Sequence, residues 1–295
     1  MRSSGPTNAY ITQLAHGYLL MMSTLFAAAC SPLTLVNLSS PNWQQKRHSD
    51  IEFHPGGSLR LDVYTPAKPT ESSPVIVFFY GGSWQRGSKE AYRFAASQLT
   101  RAGFVVVIPD YRLFPEAVFP QFVHDGAEAV SWAMANAERY GGDPRSVFLM
   151  GHSAGAQIAA LLHYDERYLS RSDATHAPAG LVGLSGPYDF LPLKSETLRA
   201  VFPEPLRADS QPVNFPQGNA APALLLHGAK DETVRAKNSK RLAQRVNAQG
   251  GMAETIVYEG RGHAGLLLAL ARPFASLAPV VEDLSEFVNA QVNGR

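Results

Sequence analysis

At 295 residues, 45% hydrophobic and 17% charged, the chain has ample apolar material for one large core, and length alone allows one or two domains. A formal net charge of +1 without a Lys/Arg cluster lacks the basic face that a nucleic-acid partner requires, so no such partner is expected. A single cysteine excludes an intrachain disulfide and a cysteine-based metal site, and the nine histidines show no H-E-x-x-H spacing, so neither a metal nor another cofactor is expected.

The first apolar stretch, Tyr18 to Ala29, is too short for a comfortable membrane span of about 20 residues. It has the size of a signal-peptide hydrophobic region, and it stops at Cys30. Leu25-Phe26-Ala27-Ala28-Ala29-Cys30-Ser31 resembles a bacterial lipoprotein signal, in which the cysteine is lipidated and becomes the new N-terminus. Only Arg2 and the α-amino group supply positive charge ahead of it, and Ala27 stands where Leu is more usual. The expectation is a signal segment over 1–30, membrane attachment through Cys30 and an exported, envelope-facing chain. The alternative is a cytoplasmic protein with an amphipathic N-terminal helix. Residues 31–50 read as a linker and 51–295 as the catalytic unit.

Leu59 to Tyr64 alternates apolar and polar, which predicts a half-exposed edge strand. Val75 to Tyr80 is continuously apolar, as in a strand buried on both faces. A helix follows over Glu90 to Ala102, and Phe104 to Ile108 is a second buried strand. Gln121 to Tyr140 has helical spacing and stops at Gly141-Gly142. Ser146 to Met150 reads as a strand, Ala156 to Leu162 as a helix, and Gly151-His152-Ser153-Ala154-Gly155 joins them in a sharp turn. Further strands fall at Gly180 to Leu184, Ala223 to Leu226 and Glu254 to Tyr258, with helices over Arg235 to Ala248 and Ala278 to Val288. The alternation predicts an α/β fold with a mostly parallel sheet, helices on both faces, right-handed crossovers and the site at the carboxyl ends of the strands. The Pro-rich segment 186–221 breaks the rhythm and reads as a small cap over a pocket.

G-x-S-x-G between a strand and a helix places Ser153 at the apex of a strained turn, with no room for side chains at Gly151 or Gly155. A serine hydroxyl is a weak nucleophile without a base, and the base needs an acid to orient it. In this architecture the chain order is Ser, then Asp/Glu, then His. Asp231 follows the strand ending at Leu226, and His263 lies in the loop after the strand ending at Tyr258. Asp231 alternatively reads as a turn residue or helix cap, Glu232 is its nearest rival, and Asp189 is the other loop acid. His152 and His227 read as structural. Tyr80-Gly81-Gly82-Ser83-Trp84 follows a buried strand and is a candidate oxyanion loop. The N–H groups of Gly82, Ser83 and Ala154 would be the donors, and Tyr80 and Trp84 candidate pocket walls.

These segments together resemble the α/β-hydrolase superfamily over about 50–290, in particular small carboxylesterases and arylformamidases of the hormone-sensitive-lipase-like and feruloyl-esterase-like branch. Asp110-Tyr111-Arg112 and Tyr140-Gly141-Gly142-Asp143-Pro144 carry the resemblance alongside the turn and the oxyanion loop. It implies hydrolysis of small carboxylic esters through an acyl-enzyme without a cofactor, with Ser153, Asp231 and His263 as the triad. The family usually opens the oxyanion motif with His, where this chain has Tyr80, and carries a third Gly where it has Ser83. The alternatives are an amidase or arylformamidase and, in a different class, a non-catalytic envelope binding protein on the same fold.

Overall fold

A computed structural model describes residues 32–38, 45–54, 56–68 and 72–294; Cys30 and the stretch expected to be a signal segment lie outside the described residues. Eight strands form one sheet. They are β1 (Gln45–Glu52), β2 (Arg60–Pro66), β3 (Ser73–Phe79), β4 (Val105–Pro109), β5 (Gly142–His152), β6 (Gly180–Leu184), β7 (Ala223–Gly228) and β8 (Ala253–Tyr258). Their spatial order is β1-β2-β4-β3-β5-β6-β7-β8. β1, β2 and β4 pair antiparallel in turn, and β3 to β8 run parallel.

The helices are α1 (Pro32–Leu38), α2 (Arg93–Arg101), α3 (Gln121–Asn136), α4 (Ala154–Tyr164), α5 (Glu166–Leu169), α6 (Glu196–Val201), α7 (Lys237–Ala248), α8 (His263–Ala269) and α9 (Val280–Asn293). β4, β6 and β7 are buried along their whole lengths, which is why their sequences are continuously apolar. The chain runs from β3 outward to β4, then crosses back to β5 on the other side of β3. That reversal opens a crevice beyond the carboxyl ends of β3 and β5, the place where open α/β sheets bind ligands.

At the amino-terminal edge, residues 31–50, read as a linker, include α1 and most of β1. Val36 of α1 joins the core, and the Asn37 side chain bonds the backbone of Glu90, Ala91 and Phe94. β2, read as an edge strand, is interior because β1 covers its outer side. Its polar position is Asp62, fully buried yet satisfied by Arg47, Tyr64 Oη–H and the Asp50 N–H, with Lys89 Nζ at 3.3 Å. Between β6 and β7 the segment 186–221 holds α6 and two short 3₁₀ turns.

Candidate active site

Ser153 is the residue between β5 and α4, at φ 54° and ψ −122°. A side chain at φ > 0 is strained, and the close packing of the turn holds it there. A Cβ on Gly151 would lie 2.3 Å from Gly155 O, and one on Gly155 would lie 2.1 Å from Phe79 O. Both positions therefore exclude every residue but glycine. The Ser153 N–H bonds Leu184 O at 2.9 Å, tying the turn to the end of β6.

Asp231 and His263 approach from the ends of β7 and β8. The Asp231 N–H bonds Gly228 O, and the next loop is laced to it by Lys230 N–H to Arg261 O at 2.8 Å. A Cβ on Gly228 would lie 2.4 Å from that same Arg261 O, so this glycine lets the two loops meet. His263 was expected in a loop; it is instead the first residue of α8, whose Leu266 and Leu267 are buried.

The three side chains form one hydrogen-bonded line. Asp231 Oδ2 lies 2.7 Å from His263 Nδ1, and His263 Nε2 lies 2.9 Å from Ser153 Oγ. A carboxylate only accepts, so Nδ1 carries the proton and Nε2 is left to accept from the serine hydroxyl. Asp231 Oδ1 accepts from the N–H groups of Thr233 and Val234. Burial alone would raise the Asp231 pKa; hydrogen bonds from His227, His263 and Val234 N–H outweigh it and hold the carboxyl well below its ordinary range. The rival acids stand apart from this line. Glu232 lines the neighbouring pocket, and Asp189 is paired with Arg241.

The loop after β3 lies against the serine. A Cβ on Gly81 would be 3.1 Å from Ser153 Cβ and 2.9 Å from His152 O. Gly82, Ser83 and Trp84 have φ of 139°, 56° and 58°, a run that turns the backbone sharply at this point. Among the described residues, the N–H groups of Gly82, Ser83 and Ala154 bond no backbone acceptor. Ala154 opens α4, where helix geometry leaves its N–H without an intrahelical partner.

A cavity of about 420 Å³ opens beside Ser153 and Ser83. Trp84, Phe190, Leu193, Leu198 and Val234 supply its apolar wall, three of them from the segment 186–221. Trp84 stacks on Phe190 at 5.9 Å and meets Phe202 edge-on at 4.7 Å. Its indole N–H donates to Gln157 Oε1, while Gln157 Nε2–H donates to Ser210 O in the segment 186–221. Gln157, fully buried on α4, thus ties the segment 186–221 to the sheet and its helices. Sequence reasoning missed it; the only signal was one amide in the small apolar run Ala156 to Leu162.

Tyr80, expected as a pocket wall, does not line the cavity. Its ring is buried between Tyr92 and Tyr111, with centroids at 5.4 and 4.6 Å, and its hydroxyl donates to Asp110 Oδ1. His227 is buried, with Nε2–H donating to Val234 O and Nδ1 accepting from Ser239 Oγ. Among the described residues no group of three or more His, Cys, Asp or Glu is placed to hold a metal ion.

A mostly parallel eight-stranded sheet with a serine at a strand–helix turn, an acid and a histidine on the following strand ends, is the α/β-hydrolase fold. The chain belongs to the BD-FAE family, whose model matches residues 61–246. It is 31% identical over 232 residues to the isoprenylcysteine alpha-carbonyl methylesterase ICME of Arabidopsis thaliana, covering 71% of this chain and 54% of that protein. It is 31% identical over 257 residues to Esterase LipC of Mycobacterium tuberculosis (strain ATCC 25618 / H37Rv), covering 78% and 61%. The chain spans about half the length of the plant relatives it matches. Among solved structures it is similar to a truncated carbohydrate esterase from gut microbiota, with TM-score 0.74, 20% identity and 86% and 99% coverage. An inhibited Esterase B from Lactobacillus rhamnosis superposes with TM-score 0.78 at 16% identity, covering 94% and 97%.

Proposed function

We propose that the chain is a serine hydrolase that cleaves small carboxylic esters through an acyl-enzyme. The observation that carries this reading is the continuous line Asp231–His263–Ser153, with its serine end in the wall of a cavity of mixed apolar and polar lining. His263 Nε2 takes the Ser153 proton as Oγ attacks the ester carbonyl. The N–H groups of Gly82, Ser83 and Ala154 receive the developing oxyanion. The imidazolium, stabilised by ionised Asp231, returns the proton to the leaving alcohol. Water then attacks the acyl-enzyme, with His263 as base again, and carboxylate leaves. Relatives named as methylesterases and esterases support the ester class.

Hydrolysis of p-nitrophenyl butyrate by residues 31–295, with Ser153→Ala alongside, tests it. We expect kcat to fall by at least ~10⁴-fold in the variant. Wild-type-like turnover by Ser153→Ala would sink the assignment. A formyl anilide assayed in parallel should be cleaved far more slowly than the ester.

We also propose export, with Cys30 as the lipidated first residue of the mature chain. Its support is the apolar stretch Tyr18 to Ala29 ending in Ala28-Ala29-Cys30. Mass spectrometry of the mature N-terminus should find a diacylated Cys30; an intact Met1 would refute it.

A further inference from the structure

We propose that Tyr92 is a positioning residue that aims the Gly82 N–H at the oxyanion, a role that rests on the serine-hydrolase reading above. One planar peptide bond couples the two groups. Gly81 C=O and Gly82 N–H belong to the same trans peptide and point in opposite directions. Whatever holds the oxygen therefore aims the amide hydrogen. Tyr92 Oη–H donates to Gly81 O at 3.1 Å.

The two candidate donors in this loop are held by different means. Gly82 O accepts from the N–H groups of Gln85 and Arg86, at 3.1 and 3.2 Å, so the turn's own backbone fixes the peptide that bears the Ser83 N–H. Among the described residues no backbone N–H bonds Gly81 O; its partner there is the Tyr92 hydroxyl. Two successive glycines leave this peptide free to rotate without an anchor. Tyr111 Oη–H holds Tyr80 O at 2.8 Å, one peptide earlier, and so aims the Gly81 N–H, which has no part in the proposed mechanism.

Tyr92 is itself well placed to be rigid. It ends the 3₁₀ turn Lys89–Tyr92, is 5% exposed, and its ring stacks on Tyr80 and Phe94. Burial pushes its phenol up to about 12, so the hydroxyl keeps its proton across ordinary assay pH.

Tyr92→Phe keeps the stacked ring and deletes the anchor. Outright loss of an oxyanion donor costs ~10² to 10³ in turnover, so loosening one should lower kcat by about tenfold. KM should stay within about twofold, because ground-state binding does not need the amide aimed. An aryl trifluoromethyl ketone, whose adduct with Ser153 places an oxyanion in the hole, should inhibit more weakly by a similar factor. Tyr111→Phe serves as the control for merely structural loss, and its kcat should fall less than that of Tyr92→Phe. Unchanged kcat and ketone inhibition in folded Tyr92→Phe, or equal losses in both variants, would overturn the role of Tyr92. If Tyr92→Phe does not fold, a polyfluorinated tyrosine placed at 92 keeps ring and packing but loses its proton at lower pH. Its kcat should then fall on the alkaline side where the wild type stays level, and a profile matching the wild type would overturn the proposal. Fluorophosphonate labelling of Ser153 separates this inference from the reading beneath it. A wild type that is folded yet neither labels nor turns over overturns both; one that labels, with Tyr92→Phe equally active, overturns only the positioning role.

Discussion

Two adjacent histidines differ because of what faces their ring nitrogens. The rings of His152 and His263 lie with centroids 4.9 Å apart. His263 sits between a carboxylate and a hydroxyl, which suits proton transfer in both directions. His152 donates Nε2–H to the His263 carbonyl at 3.1 Å, and its buried Nδ1 has no hydrogen-bond partner among the described residues. Burial, then the neighbouring His263, pushes its pKa down from 6.5 to about 3. An imidazole with a lower pKa folded than unfolded binds fewer protons when folded. Stability therefore rises with pH between about 3 and 6.5 and is lost as pH falls through that window. His163, lowered to about 4 by burial, adds to the same slope. In His152→Gln the unfolding free energy between pH 4 and 6 should vary less steeply, by up to about 1.4 kcal/mol per pH unit. Urea titrations across that range measure it; an unchanged slope would show that His152 is already charged in the folded protein.

At the scale of elements, the turn between β5 and α4 is defined by steric exclusion. Gly155→Ala would put a methyl 2.1 Å from Phe79 O and 2.4 Å from Tyr80 O. Those atoms are backbone at the end of β3 and cannot swing aside. Overpacking typically costs ~1–3 kcal/mol where side chains can adjust, so a clash with backbone should exceed ~3 kcal/mol. Gly250→Ala is the comparison: its φ is positive, at 85°, unlike that of helical Gly155, but a Cβ there meets nothing within 4 Å. Its loss should be limited to about 1 kcal/mol of backbone strain. Denaturant midpoints for the two variants should differ widely, and similar midpoints would mean that α4 slides away from the sheet at little cost.

The same contrast explains which elements the sequence made legible. β3 to β7 announce themselves as apolar runs because both faces are covered. β1 did not, because Gln-Lys-Arg-His-Ser-Asp-Ile-Glu is an exposed edge held by its ladder to β2. β2 was misplaced because Asp62 reads as a solvent position, and only the fold brings Arg47 and Lys89 to it. The Ser153, Asp231 and His263 segments were readable because strand ends converge in this architecture, whereas the α8 helix beginning at His263 was hidden by Gly260, Gly262 and Gly265. Tyr80 was misassigned because adjacency to the oxyanion loop does not give ring direction. The stacking that turns it away involves Tyr92 and Tyr111, remote in sequence.

At the scale of the whole molecule, charge is nearly balanced at +1, but it is not evenly spread. Lys194, Arg235 and Lys237 line the cavity beside Ser153, against Asp189 and Glu232. Asp189 is already neutralised by Arg241, so the mouth carries excess positive charge. Like charge lining a cleft with low-dielectric walls focuses its field and raises the local concentration of oppositely charged substrate. A p-nitrophenyl ester ending in a carboxylate should therefore show a higher kcat/KM than its neutral isostere at low ionic strength. The Debye length shrinks from about 30 Å at 0.01 M salt to about 3 Å at 1 M, so the advantage should fade across that range. Lys194→Glu with Lys237→Glu should reverse the preference while leaving the neutral ester's kcat within about twofold, because neither lysine touches the Ser153–His263–Asp231 line. An anionic ester slower than the neutral one at every salt concentration would show that Glu232, not the three cations, governs entry to the site.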